Sequence, residues 1–356
     1  MLLYIILAIW PLIVQYMYRY SPLSLGGKRI NDNKYLFIAL APIFFVIAFR
    51  GETMGADTGT YINHFLRVID TPLDTVLSTS RMETGYLVFV KIITYITHSA
   101  LIYQIMCVSI MFYGMYTFLK QLVLEDALLY IYLYCTLGIF FFMFTGTRQC
   151  LAMGICLFSY KYLIAKKYWR FLICIILAFC FHKSAILFVG VLFIYNKKVN
   201  IYNTIIYCIA AMIIGKNLNN IQLWFNDALD YSYNIEYTGN GMIFLFVLIL
   251  LTIFSLIMIY NRNNSFIDNS YINTFININF ITIICWILRQ QTRIAERPSY
   301  YFMFFSCVLY ANSLNGISNS KERRLYKMLV LGLLMLLYIY RLKTNFSVLI
   351  PYDFWW

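Results

Sequence analysis

The sequence predicts an all-α polytopic integral membrane protein with about twelve transmembrane helices and one possible re-entrant or interfacial helix. Three observations carry this expectation. Of 356 residues, 62% are hydrophobic and only 12% charged, and the mean hydropathy is +0.71, far from soluble-domain composition. Apolar runs of membrane-spanning size follow one another with brief polar breaks. Those runs, such as YIYLYCTLGIFFFMF, do not alternate as barrel strands would.

Residues 2–18 read as a retained first helix, because no basic residue precedes them and no small-x-small cleavage site follows before Arg19. The next expected segments are 35–49, 84–97, 101–119, 127–144, 149–165, 168–181 and 184–195. After them come 201–215, 241–260, 271–288, 298–315 and 328–340. Lysine and arginine crowd segments 19–34, 161–170, 196–199 and 320–327, which places these connections in the cytoplasm. Helix counting from the first and from the last three agrees only if one segment between 84 and 144 does not cross. Segment 84–97 is short and interrupted by Lys91, so it is assigned the re-entrant or interfacial role. Loops near 50–83, 216–240 and 289–297 then face outward. No linker or repeat divides the chain, so residues 1–356 read as one transmembrane domain.

The net charge of +13 does not imply nucleic acid, since the basic residues sit in connections between helices and report topology. Aromatic residues at span ends, including Trp169, Trp286 and the terminal Tyr352, Phe354, Trp355 and Trp356, read as interfacial belts against membrane lipid. Pro298 reads as a first-turn proline. The nine cysteines lie in or beside apolar segments without a CxxC pair and read as small hydrophobes. The three histidines are too scattered for HExxH, and there is neither a P-loop glycine pattern nor an Asp-x-Asp pair. No metal site and no cofactor are expected.

Four polar islands interrupt the apolar sequence: Arg50 to Tyr61, Thr145 to Gln149, His182 to Ser184 and Arg289 to Arg297. Charge at membrane depth is expensive and usually functional. Arg148 lies between two long apolar runs with no acidic neighbour in sequence. Arg289, Arg293 and Arg297 recur every fourth residue and share one face if the segment continues a helix. Guanidinium groups suit phosphate through bidentate geometry and persistent charge, so a diphosphate is the expected guest. The first island sets Arg50 and Asp57 among glycines and threonines ahead of Tyr61, a vocabulary for sugar hydroxyls. Glu83 reads either as a base or as an acid at a helix N-terminus. His182 is the first candidate for a base, with Asp57 and Glu83 next.

The run FFVIAFRGETMGADTGTYINHF resembles the opening signature of the EpsG family of Wzy-like polysaccharide polymerases through Arg50, Gly55, Asp57 and Tyr61. METGYLVFVKII resembles that family through Glu83, Gly85 and Tyr86. TGTRQCLA and the later FHKSAILF do so through Arg148, Gln149, Ala152, His182, Ser184 and Ala185, and ERPSYYF through Arg297, Tyr301 and Phe302. The resemblance implies a bacterial inner-membrane enzyme acting at the outer, periplasmic face on undecaprenyl-diphosphate-linked oligosaccharide. It would transfer the growing glycan onto a sugar hydroxyl of an incoming lipid-linked unit, alongside a chain-length regulator and a flippase of the same pathway. Catalytic roles then fall to Arg148, His182, Asp57 and Glu83. Diphosphate or sugar binding falls to Arg50, Tyr61, Gln149, Arg289, Arg293 and Arg297. An O-antigen ligase-like glycosyltransferase and a lipid-linked oligosaccharide flippase are the alternatives.

Overall fold

Apolar runs form helices here, and the polar breaks between them supply the ends of those helices. The computed structural model describes residues 1–20, 24, 25, 28, 29, 31–217, 220, 223, 241–263, 270–292, 295–344, 346 and 349–355. Two units emerge: Met1–Ile186 with Lys327–Trp356, and Leu187–Tyr326.

The first unit opens with α1 (Leu2–Tyr20) and a two-residue antiparallel ladder, β1 (Ser24–Leu25) and β2 (Lys28–Arg29). Next come α2 (Asp32–Ala48), α3 (Thr58–Ile69), α4 (Leu73–Thr79), α5 (Thr84–Ile96), α6 (Ala100–Leu119) and α7 (Leu124–Thr136). A 3-10 turn, Ile139–Phe144, leads to α8 (Thr147–Ile164) and α9 (Tyr168–Phe181). A second 3-10 stretch, Lys183–Gly190, runs out of this unit into the second, which holds α10 (Val191–Ile194), α11 (Ile201–Lys216), α12 (Met242–Asn263), α13 (Ser270–Leu288) and α14 (Glu296–Asn315). The last helix, α15 (Ser320–Thr344), returns the chain to the first unit.

Among the described residues, five helices are long and apolar enough to cross a membrane: α1, α6, α13, α15 and residues Met242–Arg262 of α12. Several others are shorter. At ~1.5 Å rise per residue, the 13 residues of α5 fall well short of a ~30 Å hydrocarbon core.

Three expectations are corrected. Segment 127–144 is not one helix, because Gly138 adopts a left-handed conformation (φ 75°) and ends α7 before the 3-10 turn. Segment 184–195 is likewise 3-10 structure followed by a four-residue helix. The loop 50–83 contains α3, whose apolar positions fall on one face, and α4. The loop 216–240 lies largely outside the described residues.

Helices α6 and α8 touch backbone to backbone. A Cβ on Gly114 would lie 1.9 Å from the Gly154 carbonyl oxygen, and one on Gly154 would lie 2.7 Å from Met111 Cα. Small residues permit such close approach in membrane bundles. Gly114→Ala is therefore expected to destabilise by about 1–3 kcal/mol or more, as overpacking does. Gly332→Ala, which would meet nothing within 4 Å, is expected to cause no loss. Thermal unfolding of the detergent-solubilised protein compares the two.

The C-terminal aromatics do more than line an interface. Gly51 N–H donates to the Asp353 carbonyl (2.9 Å) and Trp355 N–H to the Phe49 carbonyl (3.0 Å), while Tyr352 Oη donates to the Val46 carbonyl (2.5 Å). The tail thus straps the start of the first island; Trp356 lies outside the described residues. Trp169 is exposed as a belt residue should be, but Trp286 is buried, with its ring 4.4 Å from that of Phe244.

In the second unit, buried polar side chains stitch helices together. Tyr310 of α14 donates to Asn279 of α13 (2.9 Å), whose amide donates to Thr252 of α12 (2.8 Å). Ser306 of α14 donates to Thr282 of α13 (3.1 Å). Such bonds average about 0.6 kcal/mol within membrane bundles, so several together hold three apolar helices in register.

Candidate functional site

Three of the four polar islands meet in the first unit. The first island ends on α3, which turns Tyr61, Ile62, His64, Phe65 and Val68 inward. Glu83 precedes α5, and the second residue of that helix, Gly85, touches the end of α9: a Cβ there would lie 2.6 Å from that of Cys180. Without a side chain at Gly85 the start of α5 can rest on α9, which sets Glu83 beside His182. Arg148 occupies the first turn of α8.

Glu83 makes no side-chain cap to α5. Its carboxylate turns away from the helix to which it belongs in sequence. Oε1 lies 3.0 Å from His182 Nδ1 and accepts from the Lys183 backbone N–H at 3.3 Å. Oε2 is ion-paired with Arg148 Nη1. The side chains of Glu83, His182 and Arg148 are 3%, 6% and 17% exposed, so the cluster is shielded while the guanidinium retains a path outward. Arg148 Nε donates to Tyr61 Oη at 3.2 Å, and its guanidinium carbon lies 6.0 Å from the Tyr61 ring centroid. Burial raises the Tyr61 hydroxyl above its usual pKa, with Arg148 opposing, so it stays a neutral phenol.

The chemistry follows from the pairing. A carboxylate at Nδ1 makes that nitrogen the donor, and in a neutral ring the lone pair is then on Nε2, the geometry of an oriented general base. A fixed guanidinium on the other carboxylate oxygen supplies positive charge in a water-poor site, where it acts more strongly than in water.

The remaining candidates are placed as follows. Asp57 is half-buried just before α3, one turn ahead of Tyr61, and forms no ion pair among the described residues. Gln149 is buried next to Arg148. Arg50 points inward: Nε donates to Thr58 Oγ1 (3.1 Å) and Nη1 to the Ile47 carbonyl (2.7 Å). Burial pulls its pKa below the usual guanidinium value, and no carboxylate is among the groups that oppose the shift. Lys91, which marked α5 as interrupted, donates to the carbonyls of Val68 (3.1 Å), Ile69 (3.1 Å) and Thr71 (2.8 Å). It caps the end of α3 and ties it to α5.

His64 escaped the sequence reading. It lies three residues after Tyr61 on the buried face of α3, with its ring stacked on Tyr86 at 6.1 Å. Its Nε2 finds no partner among the described residues. Burial, then Arg67 and Arg148, lower its pKa, so the imidazole is neutral. Helical periodicity across 58–69 would have revealed it had that stretch been read as a helix.

The fourth island belongs to the second unit and is not a continued helix. Helix α13 stops at Leu288 and α14 starts at Glu296, so Arg289 lies in the turn past α13 and Arg297 in the first turn of α14. Arg289 Nε donates to Glu296 Oε2 (3.3 Å), Glu296 Oε1 accepts from Tyr300 Oη (2.6 Å), and Arg289 lies over Trp286. Arg293 lies outside the described residues.

Helices long and apolar enough to cross a membrane, and a buried guanidinium–carboxylate–imidazole cluster in the first unit, are the features of a polytopic membrane protein. Residues 33–354 match the family model of the EpsG family, and the chain belongs to that family of Wzy-type polymerase-like membrane proteins. Membership points to a polymerase-like membrane glycosyltransferase. No curated protein matches the chain. No solved structure matches it.

Proposed function

We propose that the protein is a bacterial inner-membrane polysaccharide polymerase. It transfers a growing glycan from undecaprenyl diphosphate to a sugar hydroxyl of an incoming lipid-linked repeat unit at the outer face. About twelve crossings, with α5 not among them, set the first three islands on that face in this reading. The observation that carries it is Glu83, one buried carboxylate holding a guanidinium on one oxygen and an imidazole on the other.

Transfer from a diphosphate needs little acid catalysis, because the leaving group departs readily once its growing charge is neutralised. Arg148 supplies that charge, and Arg289, Arg293 and Arg297 are further candidates for diphosphate contact. His182, oriented by Glu83 through Nδ1, takes the proton of the acceptor hydroxyl at Nε2 as the new glycosidic bond forms. Tyr61 steadies Arg148, and Asp57 and Gln149 line the approach to it. The reading assigns no step to a metal, since fixed cations do the neutralising.

Purified protein given a defined undecaprenyl-diphosphate repeat unit is expected to build a ladder of longer carrier-linked glycans. His182→Ala is expected to lower the rate about 10²- to 10⁴-fold, the contribution of a positioned base. A His182→Ala enzyme that leaves rate and chain lengths unchanged refutes the assignment. In cells lacking the protein, single-unit glycan on the final acceptor supports a polymerase. Full-length carrier-linked glycan would instead indicate a ligase, and unflipped precursor a flippase.

A further inference from the structure

Arg50 is a cation with no counter-charge among the described residues. It is 3% exposed. Of the five N–H bonds a guanidinium carries, two are committed, to Thr58 Oγ1 and the Ile47 carbonyl. The other three find no acceptor among the described residues. The Phe144 ring, 5.8 Å away, and two neutral oxygens do not cancel a unit charge. A buried cation left unpaired is strongly unfavourable, and arginine does not escape by losing its proton.

Beside Arg50 lies a cavity of about 20 Å³, walled also by Thr58, Tyr61, Thr147, Cys107 and Cys150. A single water needs ~10–15 Å³, so the cavity has room for a monatomic ion. Its wall mixes hydroxyls with polarisable sulfur. A weakly hydrated, polarisable anion suits such a wall better than a hard one.

We infer that this cavity is a halide site, in which one chloride-sized anion neutralises Arg50. The bound anion would fasten the first island to the 3-10 turn at Phe144, where Thr58 Oγ1 already meets the Phe144 carbonyl at 3.0 Å. Arg50 is thereby separated from the diphosphate chemistry assigned to Arg148, and the inference does not depend on the polymerase reading.

Equilibrium binding of ³⁶Cl⁻ to the purified full-length protein in detergent is the test. Saturable binding of one chloride per chain, displaced by bromide, is expected, together with a higher Tm in chloride than in gluconate at equal ionic strength. Arg50→Met is expected to weaken chloride binding at least tenfold, and Lys321→Gln, at an exposed residue of α15, to leave it intact. Absence of saturable binding to the wild-type protein means that water alone fills the cavity and overturns the inference. So does wild-type binding by Arg50→Met, or loss of binding in Lys321→Gln. Should Arg50→Met fail to fold, anomalous scattering from bromide in wild-type crystals decides, since the peak must fall beside the Arg50 guanidinium.

Discussion

Glu83→Ala is expected to be among the most damaging substitutions in the first unit, lowering stability by about 3–5 kcal/mol. That is the range seen when one partner is removed from a buried ion pair. The cause lies in what stays behind. Arg148 loses its counter-charge, His182 loses its acceptor at Nδ1, and the Lys183 N–H loses its carboxylate oxygen. Glu83→Gln keeps an acceptor while removing the charge and is expected to fall between wild type and alanine. Glu83→Ala combined with Arg148→Met removes both charges and is expected to regain part of the loss, because coupled sites do not add. Thermal unfolding in detergent resolves the series. A Glu83→Ala protein within about 0.5 kcal/mol of wild type, the scale of ordinary surface changes, would mean that the carboxylate is not the buried hub described.

Arg148→Ala is expected to lower kcat for polymerisation about 10²- to 10³-fold, as loss of a single charge-stabilising donor does. The fall belongs in kcat more than in KM, because the leaving diphosphate gains charge in the transition state and only interactions strengthened there accelerate the chemical step. Arg148→Lys keeps the charge but not the planar fork that holds Glu83 and Tyr61 together, so it is expected to recover only part of the rate. Initial rates on a defined carrier-linked repeat unit measure both variants. Undiminished turnover by Arg148→Ala would remove this arginine from the chemistry.

The sequence made the site legible residue by residue more than element by element. Arg148, Glu83, His182 and Tyr61 stood out because charge and polarity interrupt apolar runs, and the structure places those four within one hydrogen-bonded cluster. Arg50 stood out for the same reason yet turns inward, since hydropathy registers a charge without its direction. His64 and the capping role of Lys91 were hidden, because each depends on a helix, α3, inside a stretch that reads as loop. The arginines at 289 and 297 suggested one helical face, but a four-residue spacing cannot show that the helix stops between them.

Composition and apolar run length by themselves determined that this is a helical membrane protein, since each long apolar run must satisfy its own backbone in lipid. The motifs around Arg50, Glu83, Arg148, His182 and Arg297 determined the family, which the match over residues 33–354 shows. Only the tertiary structure decided which carboxylate meets which cation. Glu83 lies 65 residues from Arg148 and 99 from His182, and no local periodicity reaches across such distances. Their meeting depends on how closely α5 can approach the end of α9, and Gly85, with no side chain to hold the two apart, permits it.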